Sequence, residues 1–372
     1  MPLLSVTDRD GVVPQEETNR QSTAHSNKAK YLRVVRGDIV YNTMRMWEGR
    51  SARVGTEGVV SPAYTVCRPD VGTNSLFFAY YFKTRPLIAE FRKYSQGLVK
   101  DTLNLKYEAF SLIQVGLPPP EEQKKIADCL GSLDDVIAAE DRKLQALRQH
   151  KQGLMQQLFP QPGETVPRLR FSDFQEAEAW KEEKLDDLAR PGTGHTPNKA
   201  AADYYNGGIK WVSLADSKRL DNGLISETEI EISEAGINNS SAVLHPSGSV
   251  ILSRDAGVGK SAIMSGPMAV SQHFIVWTCE PEVMSNWFLY YQLQRLKPLF
   301  EQVATGSTIK TIGLPFFKSM RVVVPRPAEQ HRIANCLAML DGRIAAQVDR
   351  LNVLKTHKRG LLQQLFPPLE SQ

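Results

Sequence analysis

The chain has 372 residues, 41% of them hydrophobic and 23% charged, with 45 lysines and arginines against 41 acidic residues and a net charge of +4. That is enough chain for two domains with ordinary cores. There is no apolar run of membrane-spanning length and no basic-then-apolar leader at the start, so a transmembrane protein and a secretory signal are both excluded as expectations. Cys67, Cys129, Cys279 and Cys336 are scattered with no CxxC pair, which argues against a disulfide framework and a structural zinc site and suits a cytoplasmic protein with reduced thiols. The mild basicity permits nucleic-acid binding without requiring it.

In chain order, short β-like runs bounded by Gly, Pro, Asn and Asp fall at 38–41 and 63–66, followed by a helix over 76–93 and a long helix over 118–160. The series then repeats: strands at 209–212, 249–253 and 273–278, a helix over 284–300 and a second long helix over 325–367. Strands interrupted by a single helix predict an α+β fold of irregular sheets with helices packed on them.

The two long segments are copies. Residues 118–160 and 325–367 align without gaps at an offset of 207, with 24 of 43 positions identical. The likeness fades upstream but persists, as in Arg36-Gly37-Asp38-Ile39-Val40 against Ser247-Gly248-Ser249-Val250-Ile251. Each copy is therefore a divergent globular part followed by a closely matched helix. About 87 residues separate Pro160 from Gly248, but only 36 precede Gly37, so the first globular part is expected to lack its opening segment.

Both helices start on proline and glutamate and stop at Leu-Phe-Pro. At about 1.5 Å per residue each would be a rod of roughly 58 Å. Leucines and isoleucines at alternating spacings of four and three mark a coiled-coil seam in each. Glu140 and Lys151 interrupt the first seam, and Gln347 and Lys358 the second. An antiparallel pairing that sets Glu140 against Lys358, Lys151 against Gln347, Leu144 against Leu354 and Leu147 against Leu351 matches polar with polar and apolar with apolar. A parallel pairing would oppose Lys151 and Lys358. The plainer alternative is two helices packed each on its own domain.

Two kinds of loop recur at matched places. Gly257-Val258-Gly259-Lys260-Ser261 follows a strand, as does Glu48-Gly49-Arg50-Ser51. The first is not a full phosphate-binding loop, because Arg254 stands where that pattern needs glycine. Arg45, Arg50, Arg53, Arg254, Lys260 and Ser261 are candidates for contacts to phosphates or guanine edges, against the alternative of a solvated hairpin. The turns before the long helices, 96–100 and 305–310, add Lys100, Ser307, Thr308 and Lys310, with a plain turn as the alternative. His150 and His357 match across the repeat but read as helix surface, and Cys129 and Cys336 as helix core. No metal-ligand cluster and no Asn-Pro-Pro-Tyr-type amino-methyltransferase motif is present, so no catalytic residue is assigned.

The twice-repeated Pro-x-Pro-x-Glu-Gln-x-x-Ile-Ala run, the pairs Leu133-Asp134 and Leu340-Asp341, the Gly-Leu-x-Gln-Gln-Leu-Phe-Pro endings and Val166-Pro167-Arg168-Leu169-Arg170-Phe171 resemble type I restriction–modification specificity subunits over nearly the whole chain. The resemblance implies target recognition domains at 1–119 and 161–326, a central spacer helix at 120–160 and a C-terminal helix region at 327–372, the two helices antiparallel. It implies that each recognition domain reads half of a bipartite site in double-stranded DNA. The helices would set the spacing and dock two modification (methyltransferase) subunits, joined by restriction subunits. S-adenosylmethionine, ATP and Mg2+ would belong to those partners, with no cofactor held by this chain and no membrane involved. A non-catalytic scaffold, or an inactive shortened specificity subunit, is the alternative.

Overall fold

The computed structural model describes residues 1–7, 11–18, 30–99, 102–307 and 309–367. The chain divides into two compact units: residues 1–143 with 347–372, and residues 144–346. Each unit combines one globular part with a stretch of both long helices.

Unit 1 opens on the hairpin β1 (Leu4–Val6) and β2 (Val12–Pro14), followed by β3 (Leu32–Val34), β4 (Ile39–Asn42), β5 (Ser51–Arg53), β6 (Gly58–Val60) and β7 (Tyr64–Cys67). The strands form two pairs, β1–β2 and β3–β6, and a three-stranded sheet in the order β5-β4-β7. The single helix expected over 76–93 is two helices, α1 (Ser75–Tyr81) and α2 (Arg85–Tyr94). Proline at 86 suits only the first turn of a new helix, so the chain breaks at Thr84. A short turn, α3 (Tyr107–Phe110), precedes the first long helix, α4 (Pro120–Leu158).

Unit 2 begins within α4. It continues through β8 (Lys181–Lys184), the turn α5 (Leu185–Leu188), β9 (Ala189–Thr193), β10 (Tyr205–Val212), β11 (Leu224–Ile225), β12 (Ile230–Ile232), the turn α6 (Glu234–Asn238), β13 (Leu244–His245), β14 (Val250–Ser253), β15 (Ser261–Met264), β16 (Met268–Val270) and β17 (Phe274–Cys279). A four-stranded sheet runs β12-β10-β16-β13, a five-stranded sheet β11-β15-β14-β17-β9, and β8 pairs with β18 (Arg321–Val324). Between β17 and β18 lie α7 (Asn286–Val303) and α8 (Leu314–Ser319), and the chain's second long helix is α9 (Pro327–Gln364). The mixed sheets with packed helices are the α+β fold expected.

The repeat extends into the sheets. The ladder Ile39↔Cys67 and Val40↔Ala52 in unit 1 matches Val250↔Trp277 and Ile251↔Ala262 in unit 2. At the base of each long helix a buried glutamine closes the same junction. Gln123 donates to Pro118 O (2.9 Å) and accepts from Asn74 N (3.0 Å). Gln330 donates to Pro325 O (3.0 Å) and accepts from Ser285 N (2.9 Å). These side chains satisfy backbone groups that burial would otherwise leave without partners.

Candidate nucleic-acid interface

The long helices run antiparallel where they share a unit, but not in the expected register. In unit 1 Lys358 Nζ donates to Asp134 Oδ1 (2.5 Å), and Gln347 Nε2 donates to Glu140 Oε2 (2.6 Å). In unit 2 Lys151 Nζ donates to Asp341 Oδ1 (2.6 Å). The expected opposition of Glu140 to Lys358 and of Lys151 to Gln347 is therefore corrected: each lysine meets the aspartate of a Leu-Asp pair. The seam leucines Leu144 and Leu351 are buried, and Leu147 and Leu354 half-buried, each within its own unit. Cys129 and Cys336 do not lie in a helix core as expected, since Cys129 is exposed and Cys336 only half-buried. His150 and His357 are exposed, as the surface reading requires.

Each lysine–aspartate pair recruits a tyrosine from the neighbouring globular helix. Tyr80 Oη donates to Asp134 Oδ2 (2.7 Å), and the Lys358 ammonium lies 5.1 Å from the Tyr80 ring centre. Tyr291 Oη donates to Asp341 Oδ2 (2.8 Å), with Lys151 5.1 Å from its ring centre. Burial and the neighbouring aspartate charge push both phenols up, so they remain protonated donors at neutral pH. Since Lys151–Asp341 is partly shielded, Lys151→Glu should lower the unfolding free energy of unit 2 by about 1–3 kcal/mol. The exchange Lys151→Asp with Asp341→Lys should recover part of that loss in urea unfolding curves, whereas an unrelated surface pair would show no such recovery.

Glu140 is held below the usual carboxylate range by the Gln347 hydrogen bond, with Arg350 and Lys143 adding opposite charge. A carboxylate depressed on folding contributes stability above its unfolded value, about 4.3, and loses it as pH falls through the folded value. Unit 1 should thus lose stability at acidic pH more steeply in the parent than in Glu140→Gln. Melting curves of the two proteins between pH 3 and pH 6 check this.

The candidate DNA contacts fall into three groups. Lys260 and Lys310 come together around a recess of about 510 Å³ beside Gly257 and Ile309, with Lys297, which sequence reasoning missed. Lys260 Nζ donates to Ser217 O (2.9 Å), and Lys297 pairs with Asp221 (2.9 Å). Ser307 and Lys310 are exposed in the turn before α8. Arg45 is partly exposed and pairs with Glu48 at 3.4 Å, and Arg50 lies 3.9 Å from the same carboxylate.

Other candidates have structural work. Arg53 Nε donates to Ser75 Oγ (2.7 Å), and Arg254 Nε to Ile312 O (3.1 Å). Ser261 does not contact solvent: it is fully buried at the start of β15, where its Oγ accepts from Gln294 (2.8 Å). Lys100 and Thr308 lie outside the described residues. The turns that carried them have a backbone reason to exist. Gly97 and Gly306 take φ of +150° and +123°, and a Cβ there would sit 2.6 Å from Thr102 O and 2.2 Å from Ile309 O.

A second recess in unit 2, about 570 Å³, has Lys199, Gln272 and His273 on its lining with Trp211 and Tyr205. His273 Nδ1 lies 2.7 Å from Asp255 Oδ2, and Thr196 Oγ1 donates to Gln272 Oε1 (2.6 Å). None of these side chains belongs to a sequence motif; the signal that unites them is spatial. Burial pushes the Cys67 thiol up to about 11 and that of Cys279 up to about 12, so neither is a reactive thiolate at neutral pH. Among the described residues no group of three or more His, Cys, Asp or Glu side chains is placed to hold a metal ion, and no helix is long and apolar enough to cross a membrane.

Comparison with known proteins places this arrangement. The profile described as "Type I restriction modification DNA specificity domain" matches residues 56–149 and 177–356. The MjaIX specificity subunit of Methanocaldococcus jannaschii is 24% identical over 192 residues, covering 51% of this chain and 44% of that protein. The MjaVIII specificity subunit of the same organism is 22% identical, covering 91% of this chain and 82% of that one. Among solved structures, the HsdS subunit from Thermoanaerobacter tengcongensis superposes with a TM-score of 0.52 at 17% identity, covering 95% of this chain and 85% of that one. The type I restriction–modification S subunit from M. genitalium superposes at 0.57 and 13% identity, covering 91% and 84%. With the profile spanning most of the chain, including part of each globular region and most of each long helix, the chain belongs to the type I restriction–modification DNA specificity family.

Proposed function

We propose that the chain is the DNA-reading subunit of a type I restriction–modification complex, each globular part addressing one half of a bipartite site in double-stranded DNA. The observation that carries this reading is the duplication: two units of one design, each closed by the same tyrosine–aspartate–lysine cluster, in a chain of the specificity family. On this reading the long helices set the half-site spacing and dock two methyltransferase subunits, to which restriction subunits are added. S-adenosylmethionine, ATP and Mg2+ are carried by those partners, and the complex works in the cytoplasm. The chain itself performs no chemistry; it supplies position and charge.

The recess formed by Lys260, Lys297 and Lys310 supports phosphate contact by unit 2. If two of its lysines each neutralise a phosphate, Lys260→Ala with Lys310→Ala should lower the slope of log K against log salt by about 2, because each contact contributes about 0.9. Binding of the reconstituted complex to duplex DNA across a salt series measures this. The broader reading is tested by mapping methylated adenines genome-wide with and without the chain. Loss of one bipartite motif is expected, and an unchanged methylome would overturn it.

A further inference from the structure

In unit 2 the turn between β16 and β17 leaves a hydroxyl buried and unused. Ser271 is 1% exposed, its N–H donates to Val212 O (2.9 Å), and its carbonyl accepts from Phe274 N (3.2 Å). Its Oγ has no hydrogen-bond partner among the described residues. The large majority of buried side-chain polar atoms are paired, so an unpaired one on the wall of a recess marks where a ligand's polar atom fits. The matched turn of unit 1, before β7, uses its serine differently. Tyr64 N donates to Ser61 O (3.0 Å) in the same way, but the Ser61 hydroxyl accepts from Ala63 N (3.4 Å). Gln272 and His273 stand where unit 1 has Pro62 and Ala63.

Ser271 lines the recess of about 570 Å³ that also holds Lys199, Gln272 and His273, and none of the described residues on its walls is acidic. Lys199 is exposed, and no ion pair among the described residues engages it. Asp255 fixes the His273 ring by its contact to Nδ1 (2.7 Å), which leaves Nε2 as the ring nitrogen for a ligand. Thr196 Oγ1 donates to Gln272 Oε1 (2.6 Å), so the amide nitrogen of Gln272 is the end that remains to donate. The two large rings have their polar atoms engaged already. Tyr205 Oη donates to Pro197 O (2.7 Å), and Trp211 Nε1 to His195 O (3.1 Å). What these rings offer the recess is therefore apolar surface.

We propose that this recess binds a single nucleotide. The base lies against Tyr205 and Trp211, its edge is hydrogen-bonded by Ser271 Oγ and the Gln272 amide, and its phosphate is met by Lys199 and His273. A planar body with polar edges and one anionic group is the chemistry that basic and aromatic walls select. The volume falls inside the range of small-molecule sites, roughly 300–1,000 Å³. Pro62 and Ala63 carry no side-chain donors at the matched turn, which makes the site a property of unit 2. The nucleotide is either one unit of DNA unstacked from its duplex or a free one. The DNA source rests on the DNA-reading role proposed above, whereas the recess and its ligand class do not.

Calorimetric titration of the full chain with each deoxynucleoside monophosphate, and with inorganic phosphate, tests the recess. Saturable binding of at least one nucleotide is expected below about 1 mM, with phosphate alone weaker. Ser271→Ala removes the unpaired hydroxyl, and Lys199→Ala is an exposed change. Each should weaken nucleotide binding by about threefold or more while the melting temperature holds. A second arm gives the source. In the reconstituted complex, a mismatch set at successive positions of the bipartite DNA motif lowers the cost of unstacking a base. At one position the parent should therefore bind the mismatched duplex more tightly than the matched one, and Lys199→Ala should lose that gain. Nucleotide binding without such a gain assigns the recess to free nucleotides. Failure of the parent complex to bind any duplex sinks the DNA reading and leaves the nucleotide arm to decide the recess. The proposal is overturned if neither nucleotides nor mismatched duplexes bind in a way that Ser271→Ala and Lys199→Ala weaken.

Discussion

Arg170→Ala is expected to cost unit 2 about 3–5 kcal/mol, because it leaves the Glu329 carboxylate buried without its counter-charge. Arg170 is 9% exposed and Glu329 2% exposed. The guanidinium also donates to the carbonyls of Ala177 (2.7 Å) and Glu178 (2.9 Å), and Trp180 Nε1 adds a 3.4 Å contact to the same carboxylate. Glu329 lies in the first turn of α9, where the helix dipole favours a negative charge but does not replace a bidentate arginine. Removing both charges with Arg170→Met and Glu329→Leu should cost less than Arg170→Ala alone, since no unpaired ion is left behind. Glu122→Ala, at the position in unit 1 that matches Glu329, should move stability by no more than about 0.5 kcal/mol. Urea unfolding followed by tryptophan fluorescence separates these outcomes. A loss below about 1 kcal/mol for Arg170→Ala would show that water replaces the guanidinium at Glu329.

Trp277→Ala should be comparably severe, about 3–5 kcal/mol. The indole is fully buried on β17, rests on Phe317 with ring centres 6.0 Å apart, and directs Nε1 to Asp186 Oδ1 at 3.4 Å. Its removal takes away the largest buried side chain between β9 and α8, and the rigid sheet around it closes only partly over the hole. At the matched position in unit 1, Cys67→Ala should cost about 1 kcal/mol or less, because the thiol already borders open space. Thermal melts of the two variants side by side measure the contrast. Equal losses would mean that the two sheets are packed alike, against the cavity seen in unit 1.

The long helices, their termini and the antiparallel sense of their pairing were legible in the residues, because heptad spacing and proline stops are local signals. The register was not. Apolar positions recur every seven residues, so a slide of about one heptad keeps leucine facing leucine and cannot be told apart by hydrophobic pattern alone. What selects the observed register is the reach of Lys151 and Lys358 to Asp341 and Asp134, which flank the seam, and the tyrosines that receive those aspartates come from distant helices. The β-runs at 38–41, 249–253 and 273–278 were legible as strands, yet β8, β9 and the short β11, β12 and β13 carry too few alternating residues to be recognised alone. Of the candidate contacts, the Lys260 and Lys310 recess was foreshadowed by two separate loops, whereas Lys297 lies on α7 and joins them only through the fold. Ser261 was misassigned to a surface because a Gly-Lys-Ser run resembles a loop; the serine is already the first residue of a buried strand.

The core of unit 1 includes Phe366, Leu361 and Leu365, and Phe366 stacks on Tyr81 with ring centres 5.0 Å apart. Tyr81 Oη also reaches Pro367 O across 286 positions of sequence. Residues 144–346 of unit 2 are by contrast contiguous. A ribosome therefore delivers all of unit 2 before the last pieces of the unit whose synthesis began first. The aromatic face of α1 must wait, uncovered, while residues 144–346 are made. During that interval the nascent chain presents Phe77 and Tyr81 to its surroundings, and the yield of folded protein becomes a matter of how quickly elongation reaches the end of α9.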